Sequence, residues 1–176
     1  MTQSVVLGGG CFWCFEALYQ RVRGVTSVTS GYAGGTKQNP TYWDVHTPGN
    51  DHAEVVKVDF NTDEITLETI LSIFWALHDP TTFNQQGADI GPEYRSIILY
   101  TTPQQKEIIE ASLKNIGQPL WNKPIVTEIK KLDTFWAAEK EHQNYFKNHP
   151  EQAYCQIIIN PKVTKLKQKF AHLLAN

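Results

Sequence analysis

A run of three glycines near the N-terminus, Gly8 to Gly10, limits what the first part of this chain can form. Residues 4–7 before the glycines are mostly apolar, as in a short buried strand. After the glycines, apolar side chains recur with helical spacing at Phe12, Phe15, Tyr19 and Val22. Because glycines allow the chain to reverse in few residues, the segment predicts a strand, a tight turn and a helix that ends at Gly24.

Two of the three cysteines stand at the start of this predicted helix, in the run Gly-Cys-Phe-Trp-Cys. In the first turn, Cys11 would meet unpaired backbone N–H groups and the positive end of the helix dipole, which favour the thiolate. We therefore identify Cys11 as a candidate nucleophile. Cys14 lies one helical turn further on, where it can act as a resolving thiol, a metal ligand or a packed bystander.

The composition is that of one globular domain. The chain has 176 residues, 41% hydrophobic and 19% charged, enough for a core that needs no disulfide or metal. A net charge of -2 argues against nucleic acid or a membrane surface as partner. There is no apolar run of membrane-spanning length and no basic leader, and three cysteines are too few for a secreted disulfide framework. We expect a cytoplasmic protein and, by default, a monomer.

Polar loops separate further strand and helix patterns along the chain. Strands are predicted over residues 25–32, 53–60, 95–100, 125–131 and 156–159, and helices over 67–77, 102–117, 137–147 and 160–173. The loops over 34–50 and 78–94 are long for a compact domain, which makes them candidate walls of a functional site. The predicted fold class is α/β (α+β): a single-domain two-layer sandwich over 1–176, in which a mixed sheet packs with helices around a ferredoxin-like core. Residues 150–176 would add a short strand and an amphipathic helix.

Several short motifs share an order and spacing with one enzyme family. They are GCFW at 10–13, GYAGG at 31–35, NPTY at 39–42, HAEVV at 52–56, FW at 74–75 with HDP at 78–80, and QGAD at 86–89 with YRS at 94–96. With these motifs the chain resembles the A-type peptide methionine sulfoxide reductases from about residue 5 to residue 155. Chance agreement at so many places is negligible, whereas GCFW alone would be modest support.

The resemblance implies a thiol-dependent reaction with methionine sulfoxide. A sulfoxide sulfur is electrophilic, but its oxygen leaves poorly unless a proton arrives as the thiolate attacks. By the resemblance Cys11 is the nucleophile and Glu54 is the acid that protonates the oxygen, since a partly buried Glu has a raised pKa. Methionine then leaves, and Cys11 becomes a sulfenic acid. The resemblance implies that the S epimer is the substrate, and that 1–176 is one catalytic domain.

Five further residues match the family's substrate pocket. Tyr42 and Tyr94 match two tyrosines whose hydroxyls hold the sulfoxide oxygen, much as an oxyanion hole does. Asp89 matches a second carboxylate near the sulfur site. Phe12 and Trp13 match an aromatic pair that encloses the methyl group. An apolar wall on one side and polar donors on the other would select chirality at sulfur.

Taken one at a time, these residues have plain structural interpretations. An aromatic residue beside a glycine turn usually belongs to the core, and a Glu in an alternating strand such as Glu54 usually faces solvent. Asp89 resembles a turn former and Tyr94 the wet end of a strand. Their joint agreement with one family favours the functional interpretation.

The cysteine that resolves the sulfenic acid stays open. Cys155 follows a segment, 138–155, that resembles the family's first resolving-cysteine segment, but a predicted ordered helix replaces the flexible glycine-rich tail of many members. Cys14 stands where many members have glycine, and a Cys-x-x-Cys pair can close a disulfide locally. A single-cysteine mechanism, reduced directly by a small thiol, is the third possibility. By the resemblance, thioredoxin is the expected electron donor.

Other functions fit the sequence less well. A thioredoxin-type thiol-disulfide oxidoreductase also starts a helix with Cys-x-x-Cys, but residues 1–10 are too short for its usual lead-in. A metal-binding or peptide-binding module would leave Glu54 and the tyrosines without a role. One Cys-x-x-Cys with dispersed histidines (His46, His52, His78 and His142) is half of a zinc pattern, so we expect no metal, no cofactor, and histidines that form local hydrogen bonds.

Overall fold

The computed structural model describes residues 1–176 as a six-stranded mixed sheet with helices packed against it. The strands are β1 (Thr2–Gly8), β2 (Val25–Ala33), β3 (Ala53–Asn61), β4 (Gln85–Gln86), β5 (Asp89–Ile90), β6 (Ile97–Tyr100), β7 (Glu128–Lys131) and β8 (Trp136–Ala137). The helices are α1 (Phe12–Tyr19), α2 (Tyr42–Val45), α3 (Leu67–Leu77), α4 (Pro103–Ser112), α5 (Tyr145–Asn148) and α6 (Asn160–Lys169). None of the helices combines the length and the apolar character that crossing a membrane requires.

The strand order confirms the predicted fold class. In the sheet the order is β7-β6-β1-β3-β2-β8, and only β6 and β7 run parallel. The units β1-α1-β2 and β3-α3-β6 place their strands in the order β6-β1-β3-β2, which is the βαββαβ arrangement of a ferredoxin-like core. Strands β4 and β5 form a separate hairpin within the loop over 78–94.

Both faces of the central strands are covered. On one face, α1, α3 and the C-terminal segment enclose a core cluster of 31 buried residues, including Val56, Val58 and Phe60 of β3. On the other face, Val55 belongs to a smaller cluster of six buried residues under Leu132 and Phe135. Glu54 stands two positions before Val56. Because side chains alternate along a strand, the Glu54 side chain points toward α1, as that of Val56 does.

Two of the predicted elements near the C-terminus are wrong. The helix predicted over 137–147 is instead β8, a 3-10 turn at Lys140–His142 and the short helix α5. Asn144 interrupts it with a φ of 55°, and the side chain of Gln143 bonds both the N–H and the C=O of Ser30, as a strand partner would. These tertiary hydrogen bonds override the local helical pattern.

The strand predicted over 156–159 is a π-helical turn, Cys155–Ile159, that leads directly into α6. Cys155 and Ile159 are fully buried four residues apart, whereas Ile157 between them is 69% exposed. This burial follows the period of a helix and not the alternation of a strand. The strand was predicted only because three consecutive isoleucines, residues 157–159, are typical of strands. The ordered helix predicted after Cys155 is present as α6, and Cys155 is fully buried at the start of the turn that leads into it.

Candidate active site

Cys11 is the residue immediately before helix α1, and its thiol is only 8% exposed. Burial raises the pKa of the Cys11 thiol well above its usual range, and the charges of Glu54 and Cys14 raise it further. The backbone N–H of Trp13 lowers the pKa but offsets only part of this effect. Burial of the thiol therefore opposes the effect of the helix terminus, which by itself would favour the thiolate.

Glu54 lies at the start of β3 with its carboxyl group 2% exposed. Its Oε1 accepts the backbone N–H of Phe12 at 3.0 Å, so the carboxyl group lies beside the first turn of α1. Burial raises the pKa of Glu54, while His46 and the Phe12 N–H lower it in part. A carboxyl group with a raised pKa, next to the residue that follows Cys11, is placed to act as an acid.

His46 is the second partner of this carboxyl group. Its Nε2 lies 2.8 Å from Glu54 Oε2, an ion-pair distance, and its Nδ1 lies 2.8 Å from the carbonyl oxygen of Tyr42. Burial alone would lower the pKa of His46, but Glu54 and the Tyr42 carbonyl together raise it. His46 is therefore a charge partner that the sequence analysis did not assign to the site.

The two predicted tyrosines both lie beside His46. The Tyr42 ring is 4.0 Å from the His46 ring and the Tyr94 ring is 6.0 Å from it, measured between centroids. Burial raises the pKa of both phenols, and the charges of Glu54 and Cys11 raise it further. Both hydroxyls therefore stay protonated near neutral pH and can donate hydrogen bonds. The carbonyl of Tyr94 also accepts the N–H of Gly10, which ties the glycine turn to the loop over 78–94.

Asp89 is joined to the site by the C-terminal segment. Its carboxylate accepts the Tyr154 hydroxyl at 2.7 Å, and its charge raises the pKa of Cys11, Cys14 and Tyr94. The ring of Tyr154 meets the Trp13 ring edge-on at 5.8 Å. Asp89 therefore belongs to the group of residues around Cys11, and Tyr154 connects Asp89 to Trp13.

Phe12 and Trp13 form an aromatic wall at the start of α1. Phe12 is buried against Tyr32 at 5.7 Å and His142 at 5.5 Å. Trp13 is half-buried and stacks on Tyr145 with ring centroids 3.5 Å apart. The wall is therefore built partly by residues more than 120 positions further along the chain.

Glu139 is a further residue that the sequence analysis missed. Its carboxylate accepts the Tyr32 hydroxyl and the Tyr42 backbone N–H, both at 2.9 Å, and so holds the start of α2 near the site. Glu139, His142 and Tyr145 all belong to the segment that resembled the family before Cys155. The similarity of this segment to the family could have indicated a role for Glu139, but the sequence analysis used it only to assign Cys155.

The remaining cysteines and histidines have distinct settings. All three cysteines are free; Cys14 is 1% exposed in α1 and Cys155 is fully buried beside α6. His46, His52 and His78 form local side-chain contacts as predicted, whereas Nδ1 of His142 is buried without a partner. No three His, Cys, Asp or Glu side chains cluster where they could hold a metal ion.

A family model described as peptide methionine sulfoxide reductase matches residues 3–174. The chain belongs to this family. A peptide methionine sulfoxide reductase MsrA from Arthrobacter sp. (strain FB24) is 50% identical over 169 residues, which are 96% of this chain and 97% of that protein. The family is one of oxidoreductases, so the binding-module alternative is wrong and the thioredoxin-type alternative is not favoured.

Solved structures show the same relationship. Reduced Mxr1 from Saccharomyces cerevisiae superposes with a TM-score of 0.80 and 32% identity, over 88% of this chain and 89% of that one. Mxr1 in complex with Trx2 matches with a TM-score of 0.57 and 26% identity, over 82% of this chain and 84% of that one. Methionine sulfoxide reductase A of Corynebacterium diphtheriae matches with a TM-score of 0.76 and 34% identity, over 86% of this chain and 76% of that one, so the fold agrees with the family.

The electrostatic role of His46 can be measured without turnover. Because His46 lowers the pKa of Glu54, we expect His46→Asn to raise that pKa. The carboxyl carbon shift of Glu54, titrated by NMR and assigned with Glu54→Gln, measures it. His172→Asn, an exposed histidine, is the control. An unchanged or lower pKa in His46→Asn would show that the ion pair has no such effect.

Proposed function

We propose that this chain reduces the S epimer of methionine sulfoxide, free or in exposed protein segments, with Cys11 as nucleophile and Glu54 as acid. The observation that carries the proposal is the buried Glu54 carboxyl group, bonded to the N–H of the residue after Cys11. Burial favours the form of this carboxyl group that holds a proton. Attack by Cys11 on a sulfoxide consumes such a proton at the sulfoxide oxygen.

In the first step the Cys11 sulfur attacks the sulfoxide sulfur while Glu54 gives a proton to the sulfoxide oxygen. The sulfur–sulfur bond formed by this attack and the sulfur–oxygen bond of the substrate then both break as the hydroxyl group passes to Cys11, which becomes a sulfenic acid. The substrate leaves as the thioether methionine, reduced by two electrons that Cys11 supplies. Tyr42 and Tyr94 donate hydrogen bonds to the oxygen as its negative charge develops.

Cys11 and Glu54 both have a raised pKa, and their titrations are coupled. The negative charge of Glu54 raises the pKa of Cys11, so the thiolate forms most easily when Glu54 holds the proton. Attack needs a thiolate and an acid, which is the state of the pair with a single proton. The enzyme therefore does not need a free thiolate at rest.

Selection of the S epimer is proposed from the two sides of the site. Phe12 and Trp13 form an apolar wall for the methyl group, whereas Glu54 and the tyrosines face the oxygen. Exchange of the methyl group and the oxygen at a chiral sulfur would place oxygen against the apolar wall. An unpaired polar oxygen there costs about 1–3 kcal/mol.

For the second step, we favour Cys14 as the thiol that attacks the sulfenic acid to give a disulfide and water. Cys14 lies in the first turn of the helix that Cys11 precedes, and both residues belong to the same buried core cluster. Lys162 and the Tyr154 hydroxyl lower the pKa of Cys14 against the larger effect of burial. Cys155 is fully buried in the core and would have to move, and direct reduction by a small thiol is the third route.

Thioredoxin is the proposed reductant of the disulfide. The similarity to Mxr1, which forms a complex with Trx2, supports this proposal. A cytoplasmic location is proposed because three free cysteines suit a reducing compartment. We also propose that 1–176 acts as one catalytic domain and as a monomer, since one core cluster joins α1, α3 and the C-terminal helix.

Separate incubation with each epimer tests the reaction. We expect one methionine per chain from methionine-S-sulfoxide without reductant, and none from the R epimer. Cys11→Ser should release none, whereas Cys14→Ser and Cys155→Ser should still release one, because the chemical step precedes resolution. Amino-acid analysis of the quenched mixture measures this. Consumption of the R epimer alone, or full release by Cys11→Ser, would contradict the proposal.

The pH dependence of single turnover tests the acid. Because the active pair carries one proton, the wild-type rate should fall at low pH, where both groups are protonated, and at high pH, where neither is. Glu54→Gln should be slower by about 10²–10⁴-fold and should lose the fall at high pH. Rapid-quench measurement of methionine release gives both profiles. An unchanged rate in Glu54→Gln would remove Glu54 as the acid.

Peptide mapping after oxidation identifies the resolving thiol. Trypsin places Cys11 and Cys14 on one peptide, 1–21, and Cys155 on another, 148–162. With Cys14 as resolver, peptide 1–21 should lose two hydrogen atoms and remain separate, and Cys14→Ser should lose thioredoxin-dependent turnover while Cys155→Ser keeps it. Cross-linking of the two peptides in the wild-type protein would instead assign Cys155.

A further inference from the structure

Glu16 is a buried carboxylate that the proposed chemistry does not use. It lies in α1 with 1% exposure, and no Lys, Arg or His forms an ion pair with it. Its partners are the Tyr145 N–H at 3.1 Å and the Ser30 hydroxyl at 3.2 Å, with a further contribution from the Asn144 N–H. Burial raises the pKa of Glu16, and these three donors lower it in part.

These donors come from two separate parts of the chain. Ser30 belongs to β2, whereas Asn144 and Tyr145 open α5, so the Glu16 side chain connects α1 to both. The left-handed backbone of Asn144, with φ 55°, turns consecutive N–H groups in one direction. Glu16 therefore caps the start of α5 from a residue 129 positions away.

The capped residue is the one that stacks on Trp13. The Tyr145 and Trp13 rings lie 3.5 Å apart between centroids and are nearly parallel, at 4°. Trp13 and Glu16 are three residues apart in α1 and so lie on neighbouring positions of one face. Tyr145 therefore contacts one face of α1 at two points. Its ring stacks on Trp13, and its backbone N–H donates to Glu16.

Stability alone does not account for an acidic residue at this place. A buried carboxylate without a cation costs free energy, and the three donors to Glu16 offset this cost only in part. We propose that Glu16 is a positioning residue: its carboxylate fixes the backbone of Tyr145 and so holds the aromatic wall against the substrate methyl group. This proposal rests on the proposed function, in which Phe12 and Trp13 contact that group.

A loosened wall predicts a specific kinetic pattern. Methyl contacts exist in the bound substrate and in the transition state alike, so their loss raises KM and leaves kcat of the chemical step nearly unchanged. A rigid wall rejects a larger alkyl group, and one methylene is worth about tenfold or more in kcat/KM. Without Glu16, the preference for methionine sulfoxide over ethionine sulfoxide should fall to about threefold or less. A general loss of stability would lower the fraction of folded, active enzyme but would leave the preference for methionine sulfoxide over ethionine sulfoxide unchanged.

The test compares Glu16→Ala and Glu16→Gln with Ser112→Ala. Ser112→Ala removes a buried hydrogen bond to Trp75 Nε1, 2.9 Å long and away from the site, so it controls for lost stability. Glu16→Gln keeps the volume and one acceptor oxygen, so it should fold and show an intermediate loss. We expect KM to rise about fivefold in Glu16→Ala, with a lowered methyl-to-ethyl ratio, and expect both unchanged in Ser112→Ala.

A second measurement is independent of activity. Hydrogen exchange of the Tyr145 amide, followed by NMR, should be about tenfold faster or more in the Glu16 variants and unchanged in Ser112→Ala. A protected Tyr145 amide or an unchanged methyl-to-ethyl ratio in Glu16→Gln would overturn the proposal. If the wild-type protein reduced neither sulfoxide, the proposed function would fail, and faster Tyr145 exchange would still show that Glu16 holds this segment.

Discussion

The hydrogen bond from the Phe12 N–H to the buried Glu54 carboxyl group is the interaction on which the site depends. Helix α1 begins with unpaired N–H groups, and the side chain of Cys11 does not cap them in the usual way. A carboxyl group from β3 bonds one of them instead, at 3.0 Å. The same contact that completes the helix therefore places the Glu54 carboxyl group beside the residue that follows Cys11.

This contact is possible because β3 is covered on both faces. Glu54 continues the row that Val56 and Val58 form toward α1, at the end of the strand where the core meets the loops. Burial there raises the pKa of the carboxyl group, while His46 and the Phe12 N–H keep the group in one place. The position of the Glu54 carboxyl group and its raised pKa therefore have the same cause: the end of a buried strand packs against the start of a helix.

The C-terminal segment completes the site from far along the chain. Tyr154 bonds Asp89, Tyr145 stacks on Trp13, and Glu139 holds the start of α2. The sequence predicted β1 to β3, α1 and α3 well, because their periodicity is strong and each lies between clear turn residues. It failed over 137–147, because Gln143 and Asn144 exchange local helical bonds for bonds to Ser30 and Gln20. Local patterns hold no information about such distant partners.

The sequence by itself determined the ferredoxin-like order of elements, the candidate nucleophile and, through shared motifs, the family of the chain. These properties follow from periodicity, glycine positions and residue identity, which are local. Only the tertiary structure decided that Cys11 is buried with a raised pKa, that His46 pairs with Glu54, and that Glu16 joins α1 to Tyr145. Each of these depends on desolvation or on a contact between distant segments, and neither exists until the chain has folded.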